Sequence, residues 1–189
     1  MNSELKNIIY EDLHRYGANS TYIDYILNYW RIPAFKYIVL LRKTRYYSKH
    51  NRILYLLYRV LLRRCSTKYL FQVPYQADIG KGFYIGHFGS VIINPLVKVG
   101  CNVSIATGTT IGQTNRGEFK GVPQIGDYVW IGTNAVIVGG ITIGNNVLIA
   151  PNAYVNRSIP DNSIAIGNPA KIISKGDATK GYIGFPVEI

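Results

Sequence analysis

The chain has 189 residues, a net charge of +11, 48% hydrophobic and 16% charged residues, which is too apolar for disorder and long enough for one substantial core with a smaller domain beside it. Its longest apolar stretch, residues 53–62, is interrupted by Arg59 and falls short of the roughly 20 residues that a membrane-spanning helix needs. Residues 1–10 have neither the basic start nor the apolar middle of a secretory leader, and Cys65 and Cys101 have no disulfide or metal-knuckle spacing, so a cytoplasmic chain with two reduced thiols is expected.

The positive charge belongs to the first third. Residues 1–70 hold 13 Lys and Arg against 4 Asp and Glu, whereas residues 71–189 hold 8 against 6. No nucleic-acid motif accompanies this field, so nucleic acid is not expected as a partner; anionic lipid headgroups, lipid-linked intermediates or an acidic polysaccharide suit it electrostatically, and so does plain solvent. The apolar residues of this third recur at helical spacing. Ser3 is placed to cap a helix running to about Tyr16 and closed by Gly17, and Ser20 or Thr21 to cap a second. Pro33 opens a third through Lys43, and Asn51 a fourth through Arg64. In the fourth, Ile53, Leu54, Leu57, Val60 and Leu61 form an apolar stripe, with Arg52, Arg59, Arg63 and Arg64 at other positions and Tyr46, Tyr47, Tyr55 and Tyr58 among the basic residues. Such a face packs against a neighbouring helix or subunit, or lies at the inner surface of a membrane as a peripheral contact.

After Tyr69 the period changes to six. Branched aliphatics fall at Val73, Ile79, Ile85, Val91, Val97 and Val103, and again from Ile125 through Ile131, Ile137, Ile143 and Ile149 to Val155. Neither a helix at 3.6 nor a single strand at 2 gives this spacing; three short strands per turn, joined by tight corners, do. The residue four places on is small or apolar, as at Phe83, Gly89, Pro95, Cys101 and Thr107, which suggests a second inward position. Gly often follows the aliphatic, where corners need positive φ or a missing Cβ. The expected architecture is mainly β: a helical domain over residues 1–70, a parallel β-helix over 71–173, and an irregular extension over 174–189. The 22 residues between Val103 and Ile125 break the count, which places an inserted loop at 113–124.

This repeat, with the closing run Ile166-Gly167-Asn168-Pro169-Ala170-Lys171, resembles the hexapeptide-repeat acyltransferases, which fold as left-handed β-helices, and the helical N-terminal region is similar to that of their serine acetyltransferase branch. The resemblance implies an acetyl-CoA-dependent O-acetyltransferase that requires no metal. His87, the one His of the repeat region, sits two places after Ile85 and should point outward; the run Ile85-Gly86-His87-Phe88-Gly89 matches the stretch that carries the catalytic His in that branch. An imidazole there can accept the acceptor hydroxyl's proton and return it to the departing thiolate. Cys101, read as inward and inert, is not expected to carry the acetyl group, so transfer is direct. For acetyl-CoA the resemblance implicates Gly112 and Gln113 at the loop entrance, Gly132 and Thr133 one turn on, Ala150 beyond, and Lys171 for a phosphate.

Three positions depart from the serine branch. The acidic partner of the catalytic His corresponds to Gln72, whose carbonyl can fix the ring tautomer but stabilises an imidazolium less than a carboxylate. The acid preceding the His is Gly86, and a second His near the end of the loop is Val122. A zwitterion needs charged partners, whereas a sugar needs amides and aromatics, which Tyr84, Phe88, Asn94, Asn115 and Arg116 offer. The expected acceptor is therefore a sugar hydroxyl in capsular or surface polysaccharide, with free serine as the alternative and a non-catalytic β-helical scaffold as a third reading. A β-helical carbonic anhydrase is excluded, since one His cannot supply three zinc ligands. The resemblance implies a homotrimer, because its donor groove lies between neighbouring copies; pairing of two trimers is left open.

Overall fold

The computed structural model describes residues 2–19 and 21–189. Four helices come first: α1 (Ser3–His14), α2 (Tyr22–Arg31), α3 (Pro33–His50) and α4 (Arg52–Tyr69). Asn2, rather than Ser3, caps α1 by accepting from the Glu4 N–H, and the helix closes before Gly17, whose φ is +75°. Thr21 caps α2; Ser20 lies outside the described residues. α3 and α4 outrun their expected ends at Lys43 and Arg64 because no Gly or Pro interrupts them: Asn51 separates them, its side chain accepting from Ile53 and Leu54 N–H, and Leu70 in the left-handed region ends α4. The expected apolar stripe stands largely in solvent, with only Leu54 and Leu61 half-buried. Leu62 and Cys65 are the buried residues of α4, whereas Ile53 is 79% exposed, Leu57 51% and Val60 52%.

The strands wind a three-sided coil. β1 (Phe71–Gln72), β2 (Asp78–Ile79) and β3 (Tyr84–Ile85) make the first turn; β4 (Val91–Ile93), β5 (Lys98–Val99) and β6 (Ser104–Ile105) the second. β7 (Thr110–Gly112), β8 (Gln124–Ile125) and β9 (Trp130–Ile131) make the third; β10 (Val136–Val138), β11 (Thr142–Ile143) and β12 (Val147–Ile149) the fourth. β13 (Tyr154–Val155) and β14 (Ser163–Ile166) follow, and β15 (Lys171–Ser174) returns antiparallel to β14. The first, second and third strands of successive turns stack in parallel as three faces, here called A, B and C. Buried branched aliphatics fill the interior, each contributing about 1.5–3 kcal/mol relative to exposure.

The strand register exposes a second break in the sixfold count. On face B, Ile79 stacks on Val99, 20 residues on, Val99 on Ile125, 26 on, and Ile125 on Ile143, 18 on. Eighteen is the plain turn. The longest turn contains the loop at 113–124, as expected; the 20-residue turn carries two extra residues at the corner between β3 and β4. The count hid them because Val91, Val97 and Val103 also point inward, two places before the stacking residues Ile93, Val99 and Ile105. Gly89, Pro95, Cys101 and Thr107 therefore sit at corners and do not line the interior, and Cys101 is only half-buried, its N–H donating to Asp127 Oδ1 at 2.6 Å. Of the two expected reasons for a glycine at these corners, the missing Cβ is the one that Gly100 shows. A Cβ on Gly100 would lie 2.6 Å from the Gly126 carbonyl, so the glycine permits close stacking, while positive φ falls two places later, at Asn102.

The helices are keyed into the first turns. Asp12 of α1 accepts from Arg42 Nε (2.8 Å) and Nη2 (3.1 Å) and from Phe83 N–H (2.9 Å), and Arg42 also donates to the carbonyls of Ile79 and Gly80. The tail past Ser174, though irregular, is docked along face C: Tyr182 packs on Trp130 with ring centroids 4.8 Å apart, and Val187 exchanges two hydrogen bonds with the Asn102 side chain.

Candidate functional site

The two extra residues lie in the corner Gly86-His87-Phe88-Gly89-Ser90, where faces C and A meet, and His87 is exposed there. Both ends of the corner are held from the helical side. Tyr16 Oη donates to the Ile85 carbonyl at 3.1 Å, and the Gly89 N–H donates to the Tyr69 carbonyl at 3.1 Å. Burial pushes the Tyr16 phenol well above its ordinary range, so it stays a donor across the working pH range. Gly89 is required: its φ is +136°, and a Cβ would lie 2.3 Å from Thr107 Oγ1. Phe88, next in sequence to His87, is 66% exposed, its ring tilted to that of Tyr69 with centroids 6.2 Å apart.

Other candidate residues share this edge. Gly86 donates to Ile105, Ala106 above it to Ile131, Gly132 to Ile149, and Ala150 to Ala165, so Gly132, Thr133 and Ala150 lie in a ladder of corners rising from His87. Ala150 borders a groove of about 510 Å³ that is walled by Trp130, Pro151 and Tyr182. Lys171 is exposed at the start of β15, bordering another groove with Arg157.

A second set stands elsewhere. Gly112, Gln113 and the loop leave from the edge between faces A and B. Thr114 and Gly121 pair across the loop, Gln113 Nε2 donates to Asn115 Oδ1, and Arg116 is exposed at the tip. Asn94 is on this edge too, half-buried, and its Oδ1 accepts from Leu96 N–H and so shapes a turn. Tyr84, half-buried, lies on face C against Tyr16, ring centroids 4.7 Å apart, with the Arg15 guanidinium over its ring. Gln72 is exposed on face A and makes no hydrogen bond to His87 among the described residues; it borders a groove of about 340 Å³ with Arg59, Arg63 and Tyr75. Sequence reasoning missed Arg59 and Arg63 as neighbours of Gln72, although their spacing of four on α4 puts them on one side of the helix. It also missed Tyr16 and Tyr69, whose contacts with the corner are long-range and leave no local signal.

The chain resembles known proteins in sequence and in shape. The family profile described as bacterial transferase hexapeptide (six repeats) matches residues 123–157. A serine acetyltransferase of Helicobacter pylori is 33% identical over 129 residues, 68% of this chain and 75% of that protein. Among solved structures, the serine acetyltransferase of Neisseria gonorrhoeae in complex with serine superposes with a TM-score of 0.74 at 27% identity, covering 92% of this chain and 70% of that one. The serine acetyltransferase of Brucella abortus in complex with coenzyme A gives 0.76 at 27% identity, covering 92% and 69%.

Proposed function

We propose a function from one premise: the chain belongs to the serine acetyltransferase family of hexapeptide-repeat transferases. It is an acetyl-CoA-dependent acyltransferase, and the acceptor that its relatives' names favour is the hydroxyl of serine rather than the sugar expected from the sequence. The observation that carries the catalytic reading is His87, exposed at a corner whose two ends are pinned and which opens onto the ladder of Gly132, Thr133 and Ala150. In this reading His87 accepts the hydroxyl proton as the oxygen attacks the thioester carbonyl, and returns it to the sulfur as the C–S bond breaks. Gly132, Thr133 and Ala150 offer main-chain groups to the pantetheine chain, and Lys171 offers a point charge to a phosphate. Gly112, Gln113, Asn115 and Arg116 leave from a different edge, so they join His87 only when a second copy brings its loop edge against this one. That heterologous contact closes into a ring, and a cyclic homotrimer is the assembly proposed.

A second reading, a sugar hydroxyl of capsular or surface polysaccharide, is favoured by one observation. Free serine carries an ammonium and a carboxylate that need charged partners once desolvated. The positions read as supplying them hold Gly86 and Val122, the latter half-buried against the core, and Gln72 stands where a carboxylate would steady the imidazolium. Incubation with labelled acetyl-CoA and a panel of serine, nucleotide sugars and capsule fragments separates the two. Label on serine supports the first reading; label on sugars alone transfers the assignment to the second; label on neither, with acetyl-CoA intact, defeats both.

A further inference from the structure

We propose that the outer side of α2 and α4 is a docking surface for an anionic membrane, on which the protein lies without crossing it. This inference does not depend on which acceptor is used. Every described residue of α2 is at least partly exposed, and Tyr22, Ile23, Leu27 and Trp30 stand in solvent, Trp30 at 72%. On α4 the exposed residues Ile53, Leu56, Leu57 and Val60 are linked by three- and four-residue spacings (53 to 56 and 57, and both of these to 60), so they lie on one side of the helix. The two helices flank α3 on the same side: the Lys43 ammonium of α3 lies 5.9 Å from the Tyr25 ring centroid of α2 and 5.2 Å from that of Tyr58 on α4. Apolar area this large on an outer face asks for a covering partner.

Charge selects among the partners. α3 and α4 together carry ten Lys and Arg and no acid. Arg42 is paired with Asp12 and Arg45 with Asp78, and Arg59 and Arg63 border the Gln72 groove; the other six have no carboxylate within ion-pair distance among the described residues. A second copy docked through this face would set two such fields against each other. Nucleic acid would satisfy the cations but leave the aliphatic row of α4 wet. A bilayer rich in phosphatidylglycerol-type headgroups satisfies both, taking the aliphatic row and Trp30 into its interfacial region and the cations at its phosphates. Lys36, with its ammonium 4.5 Å from the Trp30 ring centroid, joins the two chemistries at one point. No described helix is long and apolar enough to cross.

The test uses the full chain with large unilamellar vesicles of phosphatidylcholine, alone or with about one part in three phosphatidylglycerol, in co-sedimentation at low and high salt. Expected are binding to the anionic vesicles at low salt, release at high salt, and little binding to phosphatidylcholine alone. Leu57→Gln/Val60→Gln and, separately, Arg52→Gln/Arg64→Gln should each weaken binding by about tenfold or more while circular dichroism and mass by light scattering stay unchanged. No anionic-vesicle binding at low salt, or equal binding to both vesicles, overturns the proposal. So does a Leu57→Gln/Val60→Gln variant that drops in mass and still binds vesicles, because the face would then cover a second copy.

Discussion

Tyr16 Oη meets the Ile85 carbonyl at 3.1 Å, two residues before His87, so a helix-end phenol sets the start of the corner that carries the imidazole. Tyr16→Phe removes this donor and keeps the ring packing. We expect a stability loss of about 1 kcal/mol and a fall in kcat of about three- to tenfold with KM for acetyl-CoA unchanged. Steady-state kinetics alongside urea unfolding checks the split, and an unchanged kcat would show that the corner holds its shape without Tyr16.

Gly89→Ala places a Cβ against Thr107 Oγ1 at a φ that side chains rarely adopt. The cost is about 1–3 kcal/mol of stability, together with loss of transfer. Thr107→Ala added to Gly89→Ala relieves the contact and leaves the backbone strain, so it should restore part of the stability and little activity. Full recovery would show that crowding alone mattered.

Asp12 and Arg42 are both buried, and each is fully engaged with its partner and with the first turn of the coil. Removing one charge strands the other, so Asp12→Ala should destabilise by about 3–5 kcal/mol. Arg42→Met combined with Asp12→Leu should cost less than the sum of the single changes. Denaturant midpoints of the four proteins give the coupling directly; simple additivity would mean that the pair does not act as a unit.

The two thiols differ. Burial pushes the Cys65 thiol up, whereas Cys101 is half-buried at a corner. A maleimide at pH 8 should therefore label Cys101 first, with Cys65 reacting only on unfolding. The double variant Cys65→Ser/Cys101→Ser should keep transfer activity if, as proposed, the acceptor oxygen attacks the thioester directly and no thiol carries the acetyl group; loss of activity with the fold intact would point to an acetylated cysteine.

The coil itself was legible because Ile79, Ile125, Ile131 and their kin repeat at a spacing that only a three-sided turn gives. The corner at His87 was legible as a motif but not as an insertion: with aliphatics at two inward positions per strand, Val91 and Val97 continue the count even though the register has slipped by two. The same ambiguity misplaced Cys101. Helical periodicity located α4 but not which side of it is buried, because Leu62 and Cys65 serve the core as well as Ile53 and Leu57 would; only contact with α3 decides. The neighbours of Tyr84 and Asn94 were not legible, because a sequence shows none: in the fold Tyr16 packs against one, and the amide oxygen of the other closes a turn.

In the mechanism proposed, the His87 ring moves the proton in acetyl transfer to a hydroxyl. Its most direct test is the rate of transfer from labelled acetyl-CoA, to whichever acceptor the panel identifies, by wild type and His87→Ala at matched folded concentration. A fall of about 10²–10⁴-fold in kcat with acetyl-CoA binding retained is the expected result. A His87→Ala protein that transfers acetyl at the wild-type rate would contradict the account.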